Sequence, residues 1–521
     1  MKRLKSSLAV ALSVAAFAPV ANAKDLRWSH SADITSMDPN AHYSTINGSF
    51  LGNVYESLVR YDKQMKLEPA LATSWERIDE NTWRFKLREG VRFHNGNPFT
   101  ADDVVATLLR ASEENSAYRP ATFWIADVKK VDEYTVDVLS TKPHATALND
   151  LSGVFIMDKE WLTEHGALKS ANMAKGEKSY VSDNANGTGP FKLVQRRPDV
   201  ETHLTVNPDW WDKAEHGITN VFYRPITSGS TRVSALLSGE IDLITPAPLQ
   251  DEARLNQADG IKALAGNNTR FYMLNFNVAA PELKDSNIKG KNPLASVKVR
   301  QALYQAIDFK LLTSKIMRGT SKPSAAFVAP EVQGYGSRLE QPPASYDVNA
   351  AKSLLAEAGY PDGFELGLEC PNEGYVNGEQ MCQAVAAMWG KIGVKTKLTI
   401  TPYSNYAKRV LSKELDVFLN AWANTPQLDA FSLLNNVIRT GGTWNPGGYS
   451  NSKIDALIGQ VQAEQNMERR IDLIVDTLAA YQQDFGGISL FTEPFVWGMK
   501  KNLDIIPAAD GRVRLYWAKL N

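Results

Sequence analysis

The sequence is poor in histidine and cysteine, and it has almost no net charge. Its 521 residues include seven histidines and two cysteines, and the formal net charge is −1. No two histidines stand three or four residues apart, so a dedicated zinc site is not expected. The balanced charge does not favour nucleic acid as a partner. We therefore expect no metal, no cofactor and no nucleic-acid function.

Long apolar runs are also missing, apart from a short one at the N-terminus. Basic residues in Met1–Lys5 precede an apolar stretch from Leu8 to Val20, and Ala21-Asn22-Ala23 supplies the small residues of a cleavage site. This order is typical of a signal peptide, and cleavage after Ala23 is predicted. The apolar stretch is shorter than the roughly 20 residues of a membrane span. There is no cysteine near the cleavage site, so a lipoprotein anchor is not indicated and a free, exported and periplasmic protein is expected.

Sequence motifs of catalysis are absent as well. The chain has no Gly-x-Ser-x-Gly elbow, no Cys-His nucleophile signature and no dinucleotide fingerprint. The turn Gly187-Thr188-Gly189-Pro190-Phe191 lacks the spacing and the Lys-Ser/Thr of a phosphate loop. Although catalytic groups can lie far apart in sequence, we do not expect an enzyme.

What the chain does have is a well-patterned stretch from Leu71 to Arg110. Apolar and polar residues alternate from Thr82 to Arg88, which predicts a strand with one buried face. The turn residues around Gly96 follow, and then Thr100 can cap a helix over Val104–Arg110. The segment is therefore predicted to form a strand, a turn and a helix in that order.

The same stretch carries a family resemblance. Its order Leu-Ala-x-Ser-Trp-Glu, followed by Trp-x-Phe-x-Leu-Arg-x-Gly-Val-x-Phe-His-x-Gly-x-Pro-Phe-Thr-Ala-Asp-Asp-Val, resembles the family 5 extracellular solute-binding proteins. These are the peptide, nickel and glycoside receptors of bacterial ABC importers. The resemblance implies a monomer that binds a small molecule and an inner-membrane ABC permease.

The resemblance and the alternation of helices and strands together predict an α/β fold. We expect the two-lobed periplasmic binding protein fold in the class with an extra small subdomain. In this predicted fold, mixed sheets are flanked by helices and a ligand cleft lies between the lobes. After the signal peptide (1–23), lobe I comprises 24–56, 185–270 and 488–521, the small subdomain 57–184, and lobe II 271–487. Phe271–Asn277 and Gly487–Phe491 are the predicted crossings between lobes, and helices are predicted over Gly48–Val59 and Val299–Met317.

Candidate ligand-binding residues follow from predicted strand ends and loops. In the resemblance, the loop after the first strand runs past the ligand, and the other candidates combine aromatic walls with neutral polar groups. For each of them an ordinary loop or core role is the alternative. The candidates are His42, Tyr43, Ser44, Asn372, Tyr375, Tyr403, Trp422, Asn424, Thr425, Trp444 and Asn445.

Two charged anchors that the resemblance leads us to expect are missing. Peptide receptors of the family carry an aspartate shortly after the cleft tryptophan, but here the order is Trp422-Ala423-Asn424-Thr425, with Asp429 as a shifted candidate. Dipeptide receptors also place an arginine in the loop that corresponds to Glu369–Glu373, where this chain has none. A zwitterionic dipeptide would then be left with unpaired charges.

The predicted ligand is therefore sugar-like, opine-like or a modified peptide. A dipeptide or oligopeptide receptor with other anchors, a signalling or chaperone-like protein on the same fold, and a secreted hydrolase are the alternatives.

The two cysteines, Cys370 and Cys382, are candidates for a disulfide. In an oxidising compartment two cysteines this close in sequence are more often bridged than free. A bridge would stiffen the loop between them, whereas the alternative is two buried thiols.

Overall fold

The computed structural model describes residues 24–42, 44–213, 216–372, 374–425 and 427–521. The predicted signal peptide and the candidate Tyr43 lie outside the described residues. None of the described helices has the length and the apolar character needed to cross a membrane.

The described residues form strands and helices in alternation. The strands are β1 Asp25–His30, β2 Val59–Tyr61, β3 Leu67–Pro69, β4 Ala72–Asp79, β5 Thr82–Leu87, β6 Ile125–Asp132, β7 Thr135–Ser140, β8 Phe191–Arg197, β9 Glu201–Val206, β10 Asn220–Pro225, β11 Leu243–Ala247, β12 Ile261–Phe276, β13 Glu365–Pro371, β14 Lys395–Thr401, β15 Val417–Ala423, β16 Gly487–Lys500, β17 Leu503–Asp504 and β18 Lys519–Leu520. The α-helices are α1 Thr45–Leu51, α2 Ala101–Ala111, α3 Arg119–Thr122, α4 Ala147–Leu151, α5 Lys159–Glu164, α6 Gly229–Leu237, α7 Glu252–Gln257, α8 Val297–Gln305, α9 Phe309–Leu311, α10 Val348–Glu357, α11 Gly378–Gly390, α12 Tyr403–Leu411, α13 Phe431–Leu433, α14 Ser452–Ala463 and α15 Met467–Gln483.

One mixed sheet of ten strands runs through both predicted lobes. Its order is β14-β13-β15-β12-β16-β11-β1-β10-β9-β8. The strand β1 is parallel to β10 and β11, and β13 is parallel to β14 and β15, whereas β12 and β16 are antiparallel to each other. The long strands β12 and β16 cross from one lobe to the other, so the lobes share one sheet.

Several hydrophobic clusters pack against this sheet. Trp28, Phe50 and Tyr223 pack together in lobe I, with ring centroids 4.9 to 6.1 Å apart. The cluster that contains Trp389 of lobe II also includes Val233 and Leu236 of lobe I and buried residues of β12 and β16, and a further cluster lies between β12 and the helices α14 and α15. One core thus runs through the middle of the sheet and joins the two lobes.

The patterned stretch supplies β4 and β5 of the four-stranded sheet β4-β5-β7-β6 in the small subdomain. Phe85 and Leu87 of β5 are buried, as the alternation predicts. The helix α2 begins after Thr100, whose backbone N–H donates to Asp103 Oδ2 at 2.8 Å. The predicted strand and the predicted helix are both confirmed.

Two predicted helices are shorter than expected. The helix predicted over Gly48–Val59 ends at Leu51, and Asn53 then donates from its side-chain amide to the carbonyl oxygen of Val513. The helix predicted over Val299–Met317 is interrupted after Gln305, because Asp308 accepts the N–H of Leu311 and starts a new helical segment. In both places side-chain hydrogen bonds override the apolar periodicity.

Candidate ligand-binding cleft

A cavity of about 670 Å³ lies where β12 and β16 pass between the lobes. Its volume is in the range of small-molecule sites. Lobe I contributes His30, Thr45, Ile46 and Arg232 to its wall, and lobe II contributes Tyr375, Asn377 and Thr425. The crossing strands contribute Asn268, Arg270 and Glu493. A molecule in this cavity would contact both lobes at once.

An irregularity in the sheet aims polar side chains into this cavity. The ladder between β12 and β16 breaks after Asn267 and resumes at Phe271, so that residues 268–270 lie opposite the single residue Glu493. Bulges of this kind turn side chains away from their regular alternation. Two charged side chains consequently reach the cavity from strands that are otherwise largely apolar.

Arg270 and Glu493 form a charged pair at the floor of the cavity. Arg270 Nη1 lies 3.3 Å from Glu493 Oε1 and donates to the carbonyl oxygen of Gly374 at 3.1 Å. The guanidinium also stacks over the Tyr375 ring, 4.6 Å from its centroid. Asn268 donates from Nδ2 to Glu493 Oε2 at 2.8 Å. Asn268, the carbonyl group of Gly374 and the ring of Tyr375 therefore hold the pair in place.

Burial and charge have opposite effects on the Arg270 guanidinium. Burial, the largest single influence, would lower the pKa of Arg270, but the carboxylate of Glu493 and the hydroxyl groups of the neighbouring tyrosines together raise this pKa above its ordinary value. Tyr272 donates from its hydroxyl to Glu493 Oε1 at 2.7 Å, and burial raises the pKa of Tyr272 well above the usual range. The cavity therefore presents a guanidinium and a carboxylate beside a phenol that stays protonated.

The lobe I side of the cavity contains a cation and a neutral histidine. Burial, together with the positive charge of Arg232, lowers the pKa of His30 to about 3. His30 is thus neutral at ordinary pH, and its Nδ1 lies 3.2 Å from the hydroxyl of Ser31.

The loop after β13 is fixed against the cavity. Cys370 and Cys382 are joined in a disulfide, with their Cα atoms 6.6 Å apart. Gly374 has a φ of 79°, and a Cβ there would lie 2.7 Å from the ring of Tyr403. Glycine is needed at this position because it alone fits both the left-handed backbone and the close ring.

The structure brings two of the predicted site residues to the cavity wall, Tyr375 and Thr425. Tyr403 packs against Tyr375 with ring centroids 6.1 Å apart, and Asn372 accepts the backbone N–H of Tyr403. Trp422 is half-buried, packs on the lobe II cluster between β12 and α15, and donates to Ser432 Oγ at 3.4 Å. Tyr403 therefore contacts a wall residue and is itself held by Asn372, whereas Trp422 belongs to the packing of lobe II.

The remaining candidates have contacts within their own segments. Asn424 is fully buried and accepts from Ser432 Oγ, and Asn445 donates to the carbonyl oxygens of Arg439 and Tyr449. Trp444 packs on the lobe II core. Ser44 accepts the N–H of Asn47 at the start of α1, and His42 is half-buried.

Asp429 is not available to a ligand as an amine anchor. Both of its carboxylate oxygens accept from the guanidinium of Arg470, at 2.5 and 2.9 Å, and both side chains are buried. Breaking such a pair is costly, so its role is to hold α15 against the loop after β15.

Sequence reasoning missed the charged residues of the cavity. Arg270 stands one residue before the predicted strand Phe271–Asn277, and Glu493 two residues beyond the predicted strand Gly487–Phe491. The available signal was a lone acidic residue inside a long apolar strand, since a charge is rarely buried without a partner.

Comparison with known proteins agrees with this architecture. The family described as "Bacterial extracellular solute-binding proteins, family 5 Middle" matches residues 66–444, well over half of the chain. The chain belongs to this family. Membership implies a small-molecule ligand and an ABC permease as partner, and the family consists of binding proteins rather than enzymes.

Individual relatives differ in what they are named for. The chain is 29% identical over 450 residues to "Heme-binding protein A" of Haemophilus influenzae, covering 81% of this chain and 78% of that protein. It is 25% identical over 511 residues to the "Glutathione-binding protein GsiB" of Salmonella typhimurium, covering 96% and 94%. The solved structure of HbpA2 from Haemophilus parasuis superposes with a TM-score of 0.81 at 25% identity, covering 96% of this chain and 100% of that one. The two-lobed α/β fold is thus confirmed.

The part of the chain that the structure describes contains no group of three or more His, Cys, Asp or Glu side chains that could hold a metal ion.

Proposed function

We propose that this protein is the periplasmic receptor of an ABC importer. It captures a small solute between lobes I and II and delivers the closed form to the permease. A ligand that contacts both lobes favours the closed form over the open one, and closure is then a shift between two populations. The cavity supports this proposal, because its walls come from both lobes.

We further propose that the ligand is a small modified peptide with an ammonium and a carboxylate group. The observation that carries this proposal is the pair Arg270 and Glu493, which offers one charged partner for each group. The absence of the two expected anchors from the sequence predicts a sugar-like, opine-like or modified-peptide ligand. The charged pair on the crossing strands favours the modified peptide among these ligands, because it can pair with an ammonium and a carboxylate group. A relative that is named for glutathione binding, and that aligns with nearly the whole chain, supports the same choice.

The ligand class can be tested by native mass spectrometry of the protein isolated from the periplasm, followed by titration calorimetry. The probes are glutathione, an unmodified dipeptide, an opine, a disaccharide and haem. We expect glutathione or a related modified peptide to bind more tightly than the others. Tight binding of the disaccharide, the opine or haem with no binding of glutathione would contradict the proposed ligand class.

The pair itself can be tested with Arg270→Met. Removing one member of a buried charge pair at an interface costs about 2–5 kcal/mol, so affinity for the ammonium-carboxylate ligand should fall at least about 30-fold. The matched control is Arg254→Met, because Arg254 is largely exposed on α7. Unchanged affinity in Arg270→Met, with the control also unchanged, would place the charged groups of the ligand elsewhere.

A further inference from the structure

Arg232 differs from the other buried arginines in its electrostatic partners. Arginines at 110, 232, 300, 470 and 514 are all at most about 8% exposed. Four of them have a carboxylate oxygen within 4 Å, from Asp38, Asp484, Asp429 and Asp510. Arg232, on α6, has no such carboxylate among the described residues.

The contacts of Arg232 fix its position without neutralising its charge. Nε and Nη2 donate to the carbonyl oxygen of Pro246, at 3.2 and 3.0 Å, and Nη1 donates to those of Ile226 and Thr227, at 2.5 and 2.9 Å. A guanidinium has five N–H groups, so one on Nη2 is left. Carbonyl groups solvate a cation but leave its full charge, and an uncompensated buried charge is costly.

The other charges of the cavity wall cancel in pairs. The charged residues among the described lining are Arg232, Arg270, Glu493 and Asp510. Arg270 faces Glu493, and Asp510 accepts from both Nη atoms of Arg514 at 2.9 and 2.6 Å. His30 adds no charge because burial keeps it neutral. One positive charge, that of Arg232, remains without a counter-charge in the wall.

We infer that Arg232 is a second anion subsite of the cleft, which takes a further carboxylate of the ligand. This inference rests on the proposed function and narrows it, because the ligand then has two carboxylates and one ammonium and a net charge of −1. Its amino-acid head lies at Arg270 and Glu493, on the crossing strands, and its distal carboxylate lies at Arg232, on lobe I. A ligand of this kind bridges the crossing strands and lobe I by charge alone.

The test uses two probes that differ in one carboxylate. Glutathione has two carboxylates and one ammonium, and its ethyl ester, blocked at the glycine carboxylate, has one of each. Affinities of the full-length protein are measured by calorimetry at low salt for wild type, Arg232→Met and Arg232→Lys. Thermal unfolding of each protein, without ligand, reports whether the variant is folded.

We expect wild type to bind glutathione at least tenfold more tightly than the ester. Arg232→Met should bind both probes equally, with the affinity that wild type has for the ester. Arg232→Lys should keep part of the preference, because it keeps the charge.

Two results would overturn the inference, and they differ in what else they affect. If Arg232→Met weakens both probes by the same factor, Arg232 only ties the carbonyl groups of lobe I together, while the proposed function stands. If wild type binds neither probe but does bind a sugar or haem, the proposed ligand class fails and the Arg232 subsite fails with it.

Discussion

Glu56 is a buried carboxyl group at the junction of lobe I and the small subdomain. Its Oε2 accepts from Trp211 Nε1 and Thr188 Oγ1, both at 2.8 Å, and its Oε1 accepts from Trp210 Nε1 at 3.1 Å. Burial outweighs these hydrogen bonds and raises the pKa of Glu56 to about 7. A carboxyl group with a raised pKa stabilises the folded protein most when it is protonated.

The raised pKa predicts a pH-dependent stability that Glu56→Gln should remove. The stabilising effect of the proton is complete below about 4.5, the ordinary pKa of the group, and is lost as pH rises through about 7. The difference in unfolding free energy between wild type and variant should therefore shift by about 3 kcal/mol between pH 4.5 and 8, in favour of the variant at high pH. Urea unfolding followed by tryptophan fluorescence measures this difference.

The control for this titration is Glu80→Gln, because Glu80 is exposed in the turn between β4 and β5. Its difference from wild type should not change with pH in the same window. A pH-independent difference for Glu56→Gln would mean that Glu56 is ionised in the folded protein at pH 5.

Among the elements, the loop between β13 and α11 connects the disulfide to the cavity. It leaves β13 at Pro371, runs past Gly374 and Tyr375, and enters α11 just before Cys382. Because Gly374 and Tyr375 both contact Arg270, the position of this loop affects the ligand anchor. The disulfide thus stabilises a binding loop as well as a core.

The double substitution Cys370→Ala with Cys382→Ala tests this coupling. Loss of a loop closure of this length should lower the unfolding free energy by about 3 kcal/mol. Ligand affinity should also fall several-fold, because the loop must then be ordered on binding. Calorimetry and urea unfolding of the variant and of wild type, treated identically, measure both effects. Reduced stability with unchanged affinity would show that the loop is held by its other contacts.

Element by element, the sequence predicted most of the regular structure and little of the cleft. Alternation and capping signals sufficed for β5 and α2, where local pattern and tertiary packing agree. They failed where side-chain hydrogen bonds break the pattern, as at Asn53 and Asp308. The bulge opposite Glu493 could not be predicted, because register between strands more than 200 residues apart is set by the whole fold. The pairing of Arg270 with Glu493 therefore could not be predicted from the sequence.

At the scale of the whole molecule, the small subdomain is linked directly to lobe II. The carbonyl oxygen of Gln427 accepts from Tyr61 Oη and from Asn149 Nδ2, both at 2.8 Å. Gln427 stands two residues after Thr425, which lines the cavity. The backbone N–H of Gln333 in lobe II donates to the carbonyl oxygen of Leu428 in the same loop at 2.7 Å. The small subdomain therefore contacts the loop that borders the ligand.

These contacts predict an effect on binding at a distance from the cleft. Tyr61→Phe with Asn149→Ala removes both donors, each of which contributes about 1 kcal/mol when paired. We expect these contacts to form when the lobes close, so that their loss lowers the population of the closed form and ligand affinity falls about 5- to 30-fold. Calorimetry measures the affinity, and small-angle scattering without and with ligand measures the dimensions of the protein.

Tyr134→Phe is the control, since Tyr134 lies in the turn between β6 and β7 and packs on the core of the small subdomain itself. Its affinity should equal that of wild type. Wild-type affinity in the double variant would show that the small subdomain does not take part in closure.

The bulge that carries Arg270 and Glu493 lies in the two strands that connect the lobes. We expect the lobes to turn about these strands, so that contacts made on the strands change little when the lobes close. Groups on the lobes themselves, such as Arg232 on lobe I and Thr425 on lobe II, should then supply the contacts that favour the closed form over the open one. Molecules that carry only the amino-acid head should therefore occupy the protein without closing it, and would act as competitive blockers of uptake rather than as cargo.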